Sequence, residues 1–220
     1  MVGMKIKISI IIPIILLVCC NVKNEKVDSK KRKAIVENKQ EGISYSITKN
    51  DSLFIEKLVR KVYEWNEKNT SYYFNIGIED QKGERYIGID WSIYEKNKKS
   101  LETSGLFSDI FIDYYKNTLE QIDKKVKNKE YEYDWLIGEY PPFGTDANEW
   151  CHCQDTPNDH YWNDIEIKDI KVTGNNTVSL TWNWGKSNNW SNGFNYPIKV
   201  KKENNTWKVT YLDGFDNKYY

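Results

Sequence analysis

Apolar residues recur along this chain with two different periods, and the change falls near its middle. In 51–69, Ile55, Leu58, Val62 and Trp65 follow one another at +3, +4 and +3. That spacing makes one stripe on a helix. Asn50 or Asp51 can cap it by accepting free N–H groups of the first turn. A second stripe, Ile112, Tyr115, Leu119, Ile122 and Val126, predicts a helix over 109–128. Ser108 caps it, Asp109 lies in its first turn, and Lys124, Lys125 and Lys127 close it, with charges that complement the helix dipole. Between these helices, YYFNIGIED and ERYIGIDWSIY alternate only in part. They predict a short hairpin about Gln81-Lys82-Gly83 and leave the rest of 70–103 unassigned.

From Asp164 the period is two. Ile165 and Ile167 share a face, whereas Ile170 and Val172 are out of step, so a β-bulge is expected at Lys168-Asp169. After a Gly174-Asn175-Asn176 turn, Val178, Leu180, Trp182 and Trp184 fall on one face. Next, Tyr196, Ile198 and Val200 point inward with Lys199 and Lys201 outward, and Pro197 suggests an edge strand or a bulge. After Glu203-Asn204-Asn205, Trp207, Val209 and Tyr211 are expected inward. Helices first and an antiparallel meander after them define an α+β domain with helices on one sheet face. The long aromatic segment 128–162 lies between the two halves; loops of that length in compact domains are commonly functional.

The first 20 residues alter the picture. Lys5 and Lys7 precede an apolar run from Ile8 to Val18, too short to span a bilayer as a helix. The first alanine is Ala34, so an A-x-A-like cleavage site is lacking. Leu17-Val18-Cys19-Cys20 resembles a bacterial lipobox and makes Cys20 the lipidated residue. The expected organisation is a lipoprotein signal peptide over 1–19, the lipidated cysteine and a disordered tether over 20–49, and one domain over 50–220. The tether is rich in Lys and Glu, with Ile35-Val36 as its only apolar pair, too little to offset chain entropy. The implied location is the bacterial cell envelope, at the outer membrane, with the membrane as first partner through the lipid.

Composition narrows function by exclusion. Formal charge is zero, and loss of Lys5 and Lys7 leaves −2, so no basic stripe marks a nucleic-acid binder. Phosphate-loop, dinucleotide, nucleophile-elbow and HExxH patterns are lacking, and no cofactor is implied. Sixteen Tyr and nine Trp fit a β-rich core, or a surface that stacks on sugars or peptides.

The chemistry-bearing stretch is EWCHCQDTPNDHYW, 149–162, which holds both histidines, His152 and His160. Outside the cytoplasm disulfides persist. Cys151 and Cys153 then form a structural staple, or pack as a thiol pair. The alternatives are a metal site of Cys151, Cys153 and His160, with His152 or Asp155 as a further ligand, and a redox dithiol. Asp155 also sits in turn chemistry, Asp-Thr-Pro-Asn-Asp. Candidate pocket or contact residues are Trp150, His152, Gln154, Asp155, His160, Trp162, Trp182, Trp184 and Trp190. For Trp182 and Trp184 a sheet-core role competes with pocket lining, and Trp190 lies in a loop.

The lipobox, the early helix, the lysine-rich end of the second, the Gln154-Asp155 pair and the Lys202-ENNTWKV hairpin together resemble DUF3828-type extracytoplasmic proteins. That resemblance implies an NTF2-like, cystatin-related cone over roughly residues 50–215, with a pocket at its open end. Two functions follow as expectations. The favoured one is a non-enzymatic binding domain for a protein or small ligand, immunity- or inhibitor-like. The other is an envelope enzyme, either a lyase or isomerase in the cone or a metal-assisted hydrolase at Cys151, Cys153 and His160.

Overall fold

A computed structural model describes residues 46–69, 76–139, 141–142, 148–151, 156, 159–185 and 195–216. Three helices, α1 (Lys49–Asn69), α2 (Trp91–Ser104) and α3 (Asp109–Asn128), combine with a two-stranded hairpin, β1 (Gly77–Glu79) and β2 (Tyr86–Ile89). A four-stranded antiparallel meander follows: β3 (Glu166–Gly174), β4 (Thr177–Asn183), β5 (Tyr196–Glu203) and β6 (Thr206–Leu212). The chain is therefore α+β, with helices on the inner face of the sheet. Among the described residues no helix is long and apolar enough to cross a membrane.

The apolar stripe of α1 is buried at Ile55, Leu58, Val59, Val62 and Tyr63. Its N-terminus is set one turn earlier than expected. Thr48 is the cap: its hydroxyl accepts from the Asp51 N–H at 3.1 Å, and its own N–H donates to the Asp51 carboxylate at 3.1 Å. This reciprocal pair is a capping box. Asp51 thus faces inward, where Lys202 Nζ at 2.8 Å and Trp207 Nε1 at 3.1 Å tie α1 to β5 and β6. The Lys202 bond, then those from Thr48, hold the Asp51 carboxyl well below the usual carboxylate range.

The expected hairpin is present, with Gly83 at φ 67° in its turn. Helix α2 is an element that the apolar pattern leaves unassigned. Its buried side is only Tyr94, Asn97 and Leu101, and one of those three is polar. Asp90 starts it by accepting from Ser92 N and Ile93 N. The Ser108 cap of α3 is as expected, its Oγ accepting from Phe111 N at 3.3 Å.

In the meander, Asp169 has φ 52° and the β3–β4 register slips between Lys168 and Lys171, which is the expected bulge. Two expectations fail. Pro197 lies in a central strand, β5. It pairs with Thr181 on β4, while β6 already ends at Leu212 opposite Ile198, so the missing N–H removes no bond to β6. Tyr211 faces outward, because Thr210 is an extra residue between the Lys199–Tyr211 and Val200–Val209 pairs. Leu212 then takes the inward position and is 1% exposed.

Candidate functional site

Trp150 and Trp162, expected as contact residues at a mouth, instead fill the core, and of the two roles that compete for Trp182 and Trp184 the structure shows the sheet-core one. Trp182 is wholly buried and Trp184, Trp150 and Trp162 nearly so. Trp182 packs on Tyr63 and Tyr196 with centroids 4.4 and 4.6 Å away, and Trp184 meets it edge-on at 4.9 Å. Tyr161 closes the group against Trp184 at 4.9 Å. Trp150 lies in a second aromatic cluster, 5.0 Å from Phe215 and 5.8 Å from Trp65 and Phe107. Between these groups, beside Cys151, Trp182 and Gly214, the remaining space is about 10 Å³, room for a single water at most. These residues hold α1 to the sheet.

Cys151 is buried, at 4% exposure, and is disulfide-bonded. A disulfide sulfur offers no thiolate to a metal. His160 is exposed, with its ring against Trp162 at 5.1 Å. Among the described residues no group of three or more His, Cys, Asp or Glu is placed to hold a metal ion. Cys20, His152, Cys153, Gln154, Asp155 and Trp190 lie outside the described residues.

Glu149, the first residue of the 149–162 stretch, is 3% exposed, and burial pushes its carboxyl up to about 7. Its backbone carbonyl packs so closely on Gly214 that any side chain there would collide with it. Glu149 does not line the small space beside Cys151 and Gly214.

The open concavity lies elsewhere. A cleft of about 470 Å³ is bounded by β2, the last turn of α3 and the segment 131–135. Asp123 sets its geometry by accepting from the Ile89 N–H at 2.8 Å and from Lys127 Nζ at 2.7 Å, which fastens α3 to β2. Gly88 permits this approach, since a Cβ there would come within 2.8 Å of the Asp123 carboxylate. On the far wall, Tyr86 donates its N–H to the Trp135 carbonyl at 2.8 Å, and the two rings lie 4.4 Å apart. Arg85 is held by Asp134 at 2.8 Å and Asp80 at 3.3 Å.

With Arg85 and Lys127 so engaged, Lys125 and Lys129 remain as the cleft's further cations. Lys125 lies over the Tyr131 ring at 5.7 Å. Tyr133 is 79% exposed at the rim and Ile87 is 46% exposed. An aromatic and aliphatic wall beside two lysines suits a partner that presents an apolar group and a carboxylate together. The sequence held both halves of this site. The lysines read as helix-dipole complements, and Tyr131, Tyr133 and Trp135 read as part of one long loop; only folding brings them together.

Comparison with protein-family models, with curated proteins and with solved structures finds no match to this chain.

Proposed function

We propose that this protein is a lipid-anchored component of the bacterial envelope whose folded domain is a non-enzymatic binding module. The cleft between β2, α3 and 131–135 is its binding site. The observation that carries this reading is the cleft itself: apolar and cationic groups converge there beside Glu132 and Asp134, and the space next to Trp182 among the described residues is about 10 Å³. The partner is a protein segment that offers an apolar side chain beside a carboxylate. An immunity- or inhibitor-like role fits, because such a domain acts by occupying its partner.

Helices seated on one face of a sheet bent by two register slips support the NTF2-like cone as its architecture. The disulfide state of Cys151 supports a Cys151–Cys153 staple that braces the segment before β3. The lipobox supports anchoring through Cys20 at the outer membrane, with the segment read as a tether over 20–49 ending where α1 begins at Lys49. An enzyme has less support. Among the described residues the carboxyl pushed up to about 7 by burial is that of Glu149, which is 3% exposed and does not line the cleft.

The test is a photo-crosslinking residue at position 133 of the full chain, expressed in the native bacterium. Position 110 is the control, since Ile110 is 50% exposed near the opposite end of α3. One discrete adduct at 133, lost when Lys125→Glu is added, is expected. Equal adducts at both positions, or an adduct at 133 unchanged by Lys125→Glu, would refute the assignment of the cleft.

A further inference from the structure

The outer face of the four-stranded sheet carries a charge pattern that folding does not require. Cross-strand register places Lys171, Ser179, Lys199 and Tyr211 in one row across β3, β4, β5 and β6. The next row holds Thr177, Lys201 and Lys208. Lys201 and Lys208 are direct partners, and like charges directly opposite one another destabilise a sheet. Of the four lysines, Lys201 alone meets a carboxylate among the described residues, Glu203 at 3.6 Å. Lys199 lies over the Tyr211 ring at 4.7 Å.

The other charges of this face lie further off. Lys168, Glu166 and Asp169 occupy the opposite half of β3. Asp213 and Asp216, which accept from the Tyr211 hydroxyl, lie beyond β6. The face is therefore cationic at the end that carries the two asparagine turns, 174–177 and 203–206. No large exposed hydrophobic residue belongs to these two rows, so apolar burial does not define the occupant.

We propose that this cationic end rests on the phosphates of an anionic lipid bilayer and holds the domain in one orientation there. The inference rests on the anchored reading above. A chain of about 25 residues, 21–45, spans at most ~90 Å, so a lipid on Cys20 brings the domain to the membrane without orienting it. The lysine rows supply the orientation. A pleated face matches a planar array of phosphates, and it lacks the stacking platform that a single nucleic-acid strand uses, because the Tyr211 ring is already covered by Lys199.

The experiment uses the full chain with vesicles of phosphatidylcholine alone, or mixed with anionic phosphatidylglycerol. An amine-reactive label read by mass spectrometry reports each lysine. Lys171, Lys199, Lys201 and Lys208 are expected to be protected on anionic vesicles only, with protection lost at high salt. Lys68, whose side chain is 66% exposed on α1, should label equally throughout. Each Lys→Gln change in the set should lower electrostatic partitioning about fivefold at low salt.

Equal labelling of the four lysines on both vesicle types overturns the proposal. So does protection by soluble polyphosphate without protection by anionic vesicles, which would assign the face to a phosphate polymer. Flotation with neutral vesicles reports the anchor separately. A chain that floats only with anionic vesicles, with these lysines protected, removes the anchor and keeps the lysine face.

Discussion

Two carboxyls, Asp51 and Glu149, are both nearly buried, yet their surroundings push them in opposite directions. Asp51 keeps its charge because Lys202, Thr48 and Trp207 surround it with donors. Glu149 is 3% exposed, and burial favours its neutral form. In the folded state burial raises the Glu149 carboxyl to about 7, above the ordinary glutamate value of 4.5, so the native state binds more protons between those pH values. Its contribution is present below about 4.5 and is lost as pH rises through about 7, a change on the order of 3 kcal/mol. Asp51 behaves conversely: its contribution is present above the ordinary aspartate value of 3.8 and is lost as pH falls below it. Urea unfolding of the wild-type chain should therefore show stability falling from about pH 5 to pH 7. Glu149→Gln should flatten that slope and gain up to ~3 kcal/mol at pH 8. An unchanged slope in the variant would mean that Glu149 is solvated. Neither environment could be read from local sequence. Asp51 looks like a helix cap until Lys202, 151 residues away, is placed beside it.

At the scale of elements, Asp123 is the joint between α3 and the hairpin. It satisfies the Ile89 N–H, whose residue is 0% exposed. Asp123→Ala removes the acceptor and leaves that buried donor unpaired, at a cost of about 2 kcal/mol. Asp123→Asn keeps a side-chain oxygen in place. Hydrogen exchange at Ile89 should accelerate sharply in the alanine variant and little in the asparagine variant. Equal rates in both would show that the packing of α3 alone holds β2. This level also marks where pattern reading works and where it stops. Helices α1 and α3 and strand β4 were legible because apolar periodicity coincides with their buried faces. Helix α2 was not, because Asn97 occupies the middle of its buried side and donates to the Tyr115 hydroxyl at 3.4 Å. The outward Tyr211 was missed because a single extra residue, Thr210, reverses every later side chain in the strand.

At the scale of the whole molecule, no helix among the described residues is long and apolar enough to cross a membrane, and the attachment proposed above is through Cys20. Cys20→Ala should move the full chain from the membrane to the soluble fraction on flotation at high salt, where the lysine face is screened. Retention under those conditions would disprove lipidation at that residue.

Sequence alone determined the α+β class, the bulge at Lys168-Asp169, the turns and the cap at Ser108, since each follows from residues a few positions apart. Periodicity and turn chemistry are local properties, and they survive into the fold wherever packing agrees with them. Only the tertiary structure decided that Trp150 and Trp162 are core, that Cys151 is buried, and that an open cleft among the described residues lies at the end of α3. Burial and concavity arise from segments distant in sequence: Lys125 meets Tyr131 and Ile87 only after β2 has been fixed to α3 through Asp123.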